Sequence, residues 1–215
     1  MAKRFLIGLL AAILLIFPGC HKEIDDVLGQ WRAELDIKTV LFQRLEKECP
    51  GISNVMAIEK LPVTLVLTFY ADGTYQAQLD QQSVFDACQE AMPALERGIW
   101  DHWRNLYARQ APGGDLETYL QSLGVTRQEL MEEVLGDTLA QELILEIGLS
   151  QEGNFTVEKG KLRFSRSLEE GPEEESFHTY RVKGKTLTIS PGEYSFSQDE
   201  SYYAEKFPLS FQKSK

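Results

Sequence analysis

Apolar and polar residues alternate with a period of two in several stretches of this chain, and each stretch is broken by a turn signal. That pattern constrains the fold more than any other feature. "TLVLTFYADGTYQAQL" carries Leu65, Leu67 and Phe69, turns at Asp72-Gly73, and resumes with Tyr75, Ala77 and Leu79. "NFTVEKGKLRFS" repeats the pattern with Phe155 and Val157, a turn at Lys159-Gly160, then Leu162 and Phe164. "TYRVKGKTLTIS" does so again with Tyr180 and Val182, a turn at Gly184, then Leu187 and Ile189. Successive side chains of a strand point to opposite faces, so each stretch predicts a hairpin with one inward apolar face. With a strand opening at Gly29-Gln30-Trp31 and a last one in "KFPLSFQK" (Phe207, Leu209, Phe211), the hairpins make an antiparallel meander of eight strands. Short strands joined by tight turns favour a closed barrel, because closure removes unpaired edges.

Between the first hairpin and the others the period changes to that of a helix. Ile99, Trp103 and Leu106 recur at helical spacing, as do Leu116, Tyr119, Leu120 and Leu123, and then Leu130, Val134, Leu135, Leu139, Leu143 and Ile147. Thr126 followed by Glu129 is a capping box that starts one helix, while Pro93, Pro112-Gly113-Gly114 and Gly124 divide the segment into three or four. The predicted class is therefore mainly β with an α insertion (α+β), the insertion falling between the third and fourth strands. The expected layout is a leader over 1–19, a lipidated tether over 20–28, the first part of the barrel over 29–82, a helical insertion over 83–150 and the second part of the barrel over 151–215.

The leader reading comes from the first twenty residues. Lys3 and Arg4 precede thirteen residues, Phe5 to Phe17, without a charged or strongly polar side chain, the organisation of a secretory signal. As a helix this run reaches roughly 20 Å, short of the roughly 30 Å hydrocarbon core. The following Pro18-Gly19-Cys20 resembles a bacterial lipobox, with Phe17 where Leu is usual. The resemblance implies cleavage before Cys20 and acylation of its sulfur by diacylglycerol and palmitate-type chains. Two or three acyl chains make attachment effectively permanent, so the chain is expected to be anchored to the cell membrane or outer membrane on its extracytoplasmic side. His21, where the inner-membrane retention signal has Asp, leaves the outer membrane open.

Without Lys3 and Arg4 the chain has 20 basic against 33 acidic residues, moving the formal charge from −11 to −13. A body this acidic repels phosphate backbones, so nucleic acid is not an expected partner. With Cys20 assigned to lipid, Cys49 and Cys88 remain, either as a disulfide closing a loop of about 40 residues and contributing about 4 kcal/mol on the chain-entropy estimate, or as two free buried thiols.

Leu28-Gly29-Gln30-Trp31, the "LTF-ADGTY" hairpin and the later "G-L-F", "Y-V-G-TLTI" and "PL-F-K" strands resemble the lipocalin-like lipoproteins of anaerobic bacteria. The likeness covers roughly residues 26–80 and 151–213. It implies a lipocalin-like barrel in which Gly29 lets the chain turn into the first strand and Trp31 plugs the closed end. The segment "LETYLQSLGVTRQELMEEVLGDTLAQELIL" departs from that pattern and is similar to helical segments of extracytoplasmic chaperones of the trigger-factor and SurA type, which grip unfolded chains.

Catalytic candidates are thin. Asp101 and His102 are adjacent, and adjacent residues on a helix point about 100° apart, so they read as a surface pair beside a core Trp103 rather than as a base and its partner. Trp100, Trp103 and Tyr107 read as core packing. There is no nucleophile elbow, HExxH or paired CxxC, so neither a catalytic nor a metal site is predicted, and no cofactor. The acidic run Glu169, Glu170, Glu173, Glu174 and Glu175 lacks the alternation and turn Gly of a calcium loop and reads as a solvated hairpin loop. The expected function is non-enzymatic binding of a small hydrophobic ligand, with Leu65, Leu67, Phe69, Tyr75, Phe164 and Tyr180 as the candidate apolar pocket. The alternative is a chaperone-like module whose helices grip a polypeptide partner. Oligomeric state is left open by the sequence.

Overall fold

The computed structural model describes residues 18–136, 138–148, 150–166, 174–194 and 208–214. Residues 1–17 of the expected leader, Phe207 and residues Glu169, Glu170 and Glu173 of the acidic run lie outside the described residues. The elements run α1 (Pro18–Val27), β1 (Gly29–Asp36), α2 (Lys38–Glu48), a 3-10 turn (Ile52–Asn54), β2 (Pro62–Phe69), β3 (Thr74–Leu79), α3 (Gln81–Gln110), α4 (Leu116–Ser122), α5 (Arg127–Leu135), α6 (Leu139–Ile147), β4 (Ser150–Glu158), β5 (Lys161–Arg166), β6 (Glu174–Lys183), β7 (Thr186–Tyr194) and β8 (Leu209–Lys213). The strands form a closed antiparallel barrel in sequence order, with β8 returning to pair with β1, and four helices intervene between β3 and β4 in the chain. Both features match the expected class. The contacts divide the chain into two compact units: Met1–Ala33, Val66–Ala77 and Gln151–Lys215, and Glu34–Leu65 with Gln78–Ser150.

In the barrel unit the period-two pattern sets the inward face. Phe155 and Val157 on β4, Leu162 on β5, Leu187 and Ile189 on β7, and Leu209 and Phe211 on β8 are all buried. Cross-strand register joins them as Phe155↔Phe164 and Val157↔Leu162, and as Leu187↔Phe211 and Ile189↔Leu209. A bulge in β6 between Phe177 and Thr179 shifts its pairing with β7. The first hairpin turns where the sequence predicts: Tyr70 N donates to Thr74 O at 2.9 Å, Asp72 Oδ1 accepts from Thr74 N at 3.0 Å, and Gly73 has φ +87°, a left-handed conformation that Gly adopts without strain. Gly153 serves packing instead: a Cβ there would overlap the Ser165 carbonyl oxygen and lie 3.1 Å from Tyr75.

Residues 20–27 belong to helix α1, which opens on Pro18, a residue suited to the first helical position because its missing N–H is unused there. Cys20 to Val27 therefore spans only about 10 Å. The helix is fastened to the barrel. Leu28 N donates to Ile24 O at 3.2 Å, the Trp31 indole donates to Val27 O at 2.6 Å, and Lys159 N donates to Glu23 Oε2 at 3.1 Å.

The helical unit departs from expectation in three ways. Pro93 does not end a helix but lies inside the 30-residue α3; a proline removes a single backbone donor, while the buried face of Val84, Ala87, Cys88, Leu95, Ile99 and His102 continues on both sides of it. Between β1 and β2, within the span assigned to the first part of the barrel, the chain forms α2 and a 3-10 turn. Asp36 Oδ1 fixes both ends of this excursion by accepting from Lys38 N at 3.0 Å and Leu61 N at 2.9 Å. Arg44 and Lys47 of α2 pair with Glu142 and Glu146 of α6, each at 2.8 Å. Thirdly, Tyr119 and Leu123, placed on the apolar face of α4 by their spacing, are 45% and 58% exposed; a helix of seven residues buries little beyond Leu116 and Leu120. The capping box is present as predicted: Glu129 N donates to the Thr126 hydroxyl at 3.1 Å and Thr126 N donates to Glu129 Oε2 at 2.7 Å.

Cys49 and Cys88 are two separate free thiols, both buried, so the disulfide alternative does not hold in this structure. Burial disfavours the charged thiolate; it pushes Cys49 up and Cys88 up to about 11. No described helix is long and apolar enough to cross a membrane.

Candidate functional site

The barrel unit gathers aromatic rings inside its wall. Phe69 of β2 meets Phe155 of β4 edge to face at 4.7 Å between centroids and stacks on Phe164 of β5 at 5.9 Å. Tyr75 of β3 meets Phe164 edge to face at 4.7 Å, and the imidazole of His178 approaches the same ring edge to face at 5.7 Å. These are the preferred geometries for rings with a negative face and a positive edge, each pair contributing about 0.5–1.5 kcal/mol beyond area burial. Phe69, Phe155 and Tyr75 are buried, whereas Phe164, the hub of the cluster, is only half-buried.

Two polar groups face this apolar interior from β6. Ser176, opposite Phe164 in register, is 2% exposed, and His178 is 4% exposed. Ser190 O lies 3.3 Å from His178 Nδ1; a carbonyl only accepts, so Nδ1 carries the hydrogen. Burial disfavours the imidazolium and lowers the His178 pKa, partly opposed by the Ser190 bond. The ring is thus a neutral, oriented dipole against the Phe164 face.

Of the candidate pocket residues, Phe69, Tyr75 and Phe164 are brought together in this cluster. Leu67 is buried on β2 beside them in sequence, and Leu65 is buried where β2 runs into the second unit. Tyr180 is half-buried on β6, its phenol pKa raised by burial and by the carboxylates of Glu23 and Asp26 on α1. Phe155, Ser176 and His178 were not among the candidates. The signal was parity: His178 and Ser176 share the inward phase of Tyr180 and Val182, and polar side chains at inward positions are the informative exception to apolar burial.

Gly29 enters β1 with φ +104°. Trp31 is fully buried, with the Lys213 ammonium 5.0 Å above its ring, a cation–π contact. Cys20 lies in α1, one helical turn before Glu23.

In the helical unit His102 is not a surface residue. It is 8% exposed because it continues the buried face of Leu95 and Ile99 at helical spacing, while Asp101 points to solvent and pairs with Arg104 at 2.9 Å. His102 Cε1 sits 3.5 Å from where a Cβ would be on Gly51, and its Nε2 has no hydrogen-bond partner among the described residues. Trp100 and Trp103 are half-buried, and the Arg127 guanidinium lies 4.7 Å above the Trp100 ring. Beside it, Met92, Met131 and Leu135 floor a groove of about 510 Å³ rimmed by Glu96, Arg127, Gln128 and Glu132. Among the described residues no group of three His, Cys, Asp or Glu side chains is placed to hold a metal.

Protein-family models, curated proteins and solved structures give no match to this chain. Its class therefore rests on the coordinates: an eight-stranded antiparallel barrel bearing helices, consistent with a lipocalin-like fold.

Proposed function

We propose that this chain is a membrane-anchored, lipocalin-like lipoprotein that binds a small hydrophobic ligand in its barrel and catalyses no reaction. Acyl chains on Cys20 hold it at the cell envelope on the extracytoplasmic side. The observation that carries the binding reading is the ring cluster around Phe164: four aromatic side chains and a neutral imidazole converge inside the barrel, and the central ring retains open surface. Small-molecule sites have this composition, an apolar and aromatic lining with few oriented polar groups.

Native mass spectrometry of protein purified from its host membranes tests the reading, with lipid retained on the wild type as the expected result. Titration with a fluorescent fatty-acid probe then locates the site. Phe164→Ala is expected to weaken binding about tenfold, the equivalent of roughly 1.4 kcal/mol of lost ring contact. Equal affinity in wild type, Phe164→Ala and Tyr75→Ala excludes the barrel as the site.

The groove floored by Met92, Met131 and Leu135 favours a second reading, in which the helices grip a polypeptide. Flexible thioether side chains adapt to varied apolar partners. Protection of an aggregating client by wild type, lost in Met131→Asp with the barrel site intact, would favour it over the first.

A further inference from the structure

The end of the barrel that carries α1 is defined by four hydrogen bonds donated by backbone amides, one to a carboxylate and three to carbonyls. Lys159 N donates to Glu23 Oε2 at 3.1 Å, Tyr180 N to Gly160 O at 3.2 Å, Lys213 N to Lys185 O at 2.8 Å, and Ser214 N to Gln30 O at 2.8 Å. The β4–β5 turn, the β6–β7 turn, the end of β8 and the start of β1 therefore sit together. In a chain of formal charge −11 this end carries a group of basic side chains. Lys159 and Lys185 occupy its turns, and Lys161, Arg181 and Lys183 stand on the outward phase of β5 and β6, all exposed.

The acidic groups at the same end are Glu23, Asp25 and Asp26 on α1, Glu158, and Asp72 in the β2–β3 turn, whose Gly73 O accepts from Phe155 N at 2.8 Å. Glu158 is paired with Lys159 at 3.3 Å, and Glu23 holds the Lys159 amide. Lys161, Arg181, Lys183 and Lys185 form no ion pair among the described residues. On the outer face, Thr156, Glu158, Lys159, Lys161 and Arg163 line a shallow depression of about 360 Å³ with Phe177, over whose ring the Arg163 guanidinium lies at 5.6 Å; Lys159 is paired there with Glu158, and Arg163 with Glu175. Of its cations, Lys161 forms no ion pair among the described residues and stands beside the Phe177 ring.

We propose that this group of basic side chains is a docking surface for the anionic phospholipid headgroups of the membrane. Charge complementarity names the occupant, and so does position. Cys20 lies on α1 one turn before Glu23, and Glu23 is bonded to the β4–β5 turn. On the lipid-anchor reading above, on which this inference rests for its orientation, acyl chains on Cys20 would enter the bilayer one helical turn from Glu23, whose carboxylate reaches the β4–β5 turn. Each basic side chain close to an anionic leaflet raises partitioning about fivefold, so the four cations that form no ion pair among the described residues favour turning this end of an acidic chain toward the bilayer. The anchor supplies attachment, and the basic side chains set which face looks at the bilayer.

The test uses full chain purified from its host membranes and reconstituted in vesicles of phosphatidylcholine alone or with about one quarter phosphatidylglycerol, at low and high salt. Amine-reactive labelling is read lysine by lysine by mass spectrometry. Labelling of Lys159, Lys161, Lys183 and Lys185 is expected to fall at least threefold in the anionic vesicles at low salt and to recover at high salt. In a Lys161→Gln, Arg181→Gln, Lys183→Gln, Lys185→Gln variant with an unchanged thermal midpoint, the protection of Lys159 is expected to disappear. Equal labelling in both vesicles overturns the docking surface, as does protection retained in the variant. An intact mass without acyl chains overturns the anchor separately, and sedimentation with anionic but not neutral vesicles then decides the docking surface by itself.

Discussion

His178 is buried among rings, with its Nδ1 hydrogen directed at Ser190 O, and this environment makes it a source of pH dependence. Above its ordinary value of about 6.5 the ring is neutral in both folded and unfolded chains. Below it the unfolded chain takes up a proton that the folded chain resists, so stability falls as pH drops from about 6.5 toward the lower folded value. Glu46, Asp72, Asp115, Glu129 and Glu142 also have lowered pKa values, but these carboxylates titrate below their ordinary 3.8–4.5 and act at lower pH. The thermal midpoint of wild type is therefore expected to fall between pH 7 and pH 5 more steeply than that of His178→Gln. Equal slopes across that window would show that His178 is not kept neutral by the fold. Parity along β6 places this residue inward from sequence alone. His102 is a harder case, because its adjacency to Asp101 suggests a surface pair, and only its phase with Leu95 and Ile99 reveals a buried one.

At the scale of elements, local chemistry was legible and distant pairing was not. Thr126 and Glu129 bond each other reciprocally in the geometry their spacing predicts, since a capping box needs nothing beyond four consecutive residues. Thr126→Ala is expected to cost about 1 kcal/mol in denaturant unfolding, and Thr126→Ser to restore most of it; a loss equal in both variants would argue against the cap. Helix α2 was not legible, because its apolar residues Val40, Leu41 and Leu45 are few and its partners Glu142 and Glu146 lie 98 and 99 residues away. The continuity of α3 through Pro93 was hidden for a related reason. A rule about proline is local, while the buried face that holds the helix together is set by tertiary packing.

For the whole molecule, the eight strands and their order follow from period and turn chemistry, as does the placement of the helices between β3 and β4. The convergence of Phe69, Phe155, Tyr75 and Phe164 does not, because alternation tells which face a ring occupies but not which rings meet. Closure rests on β8, whose Lys213 and Gln212 stand opposite Trp31 and Arg32. Ending the chain before Leu209 leaves β1 and β7 with unpaired edges, which recruit other chains. Such a truncation is expected to lose its cooperative thermal transition and to scatter light with rising concentration. A sharp transition from a monodisperse monomer would mean that the remaining strands close without it.

That first-to-last pairing also sets a clock. The contacts that complete the wall join residues some 180 positions apart, and an encounter between such remote segments must overcome the entropy of the whole intervening loop before any ladder rewards it. Hairpins and helices with near neighbours need no such search, so the β1–β8 seam, the most remote pairing among the described strands, carries the largest entropic cost of closing the wall.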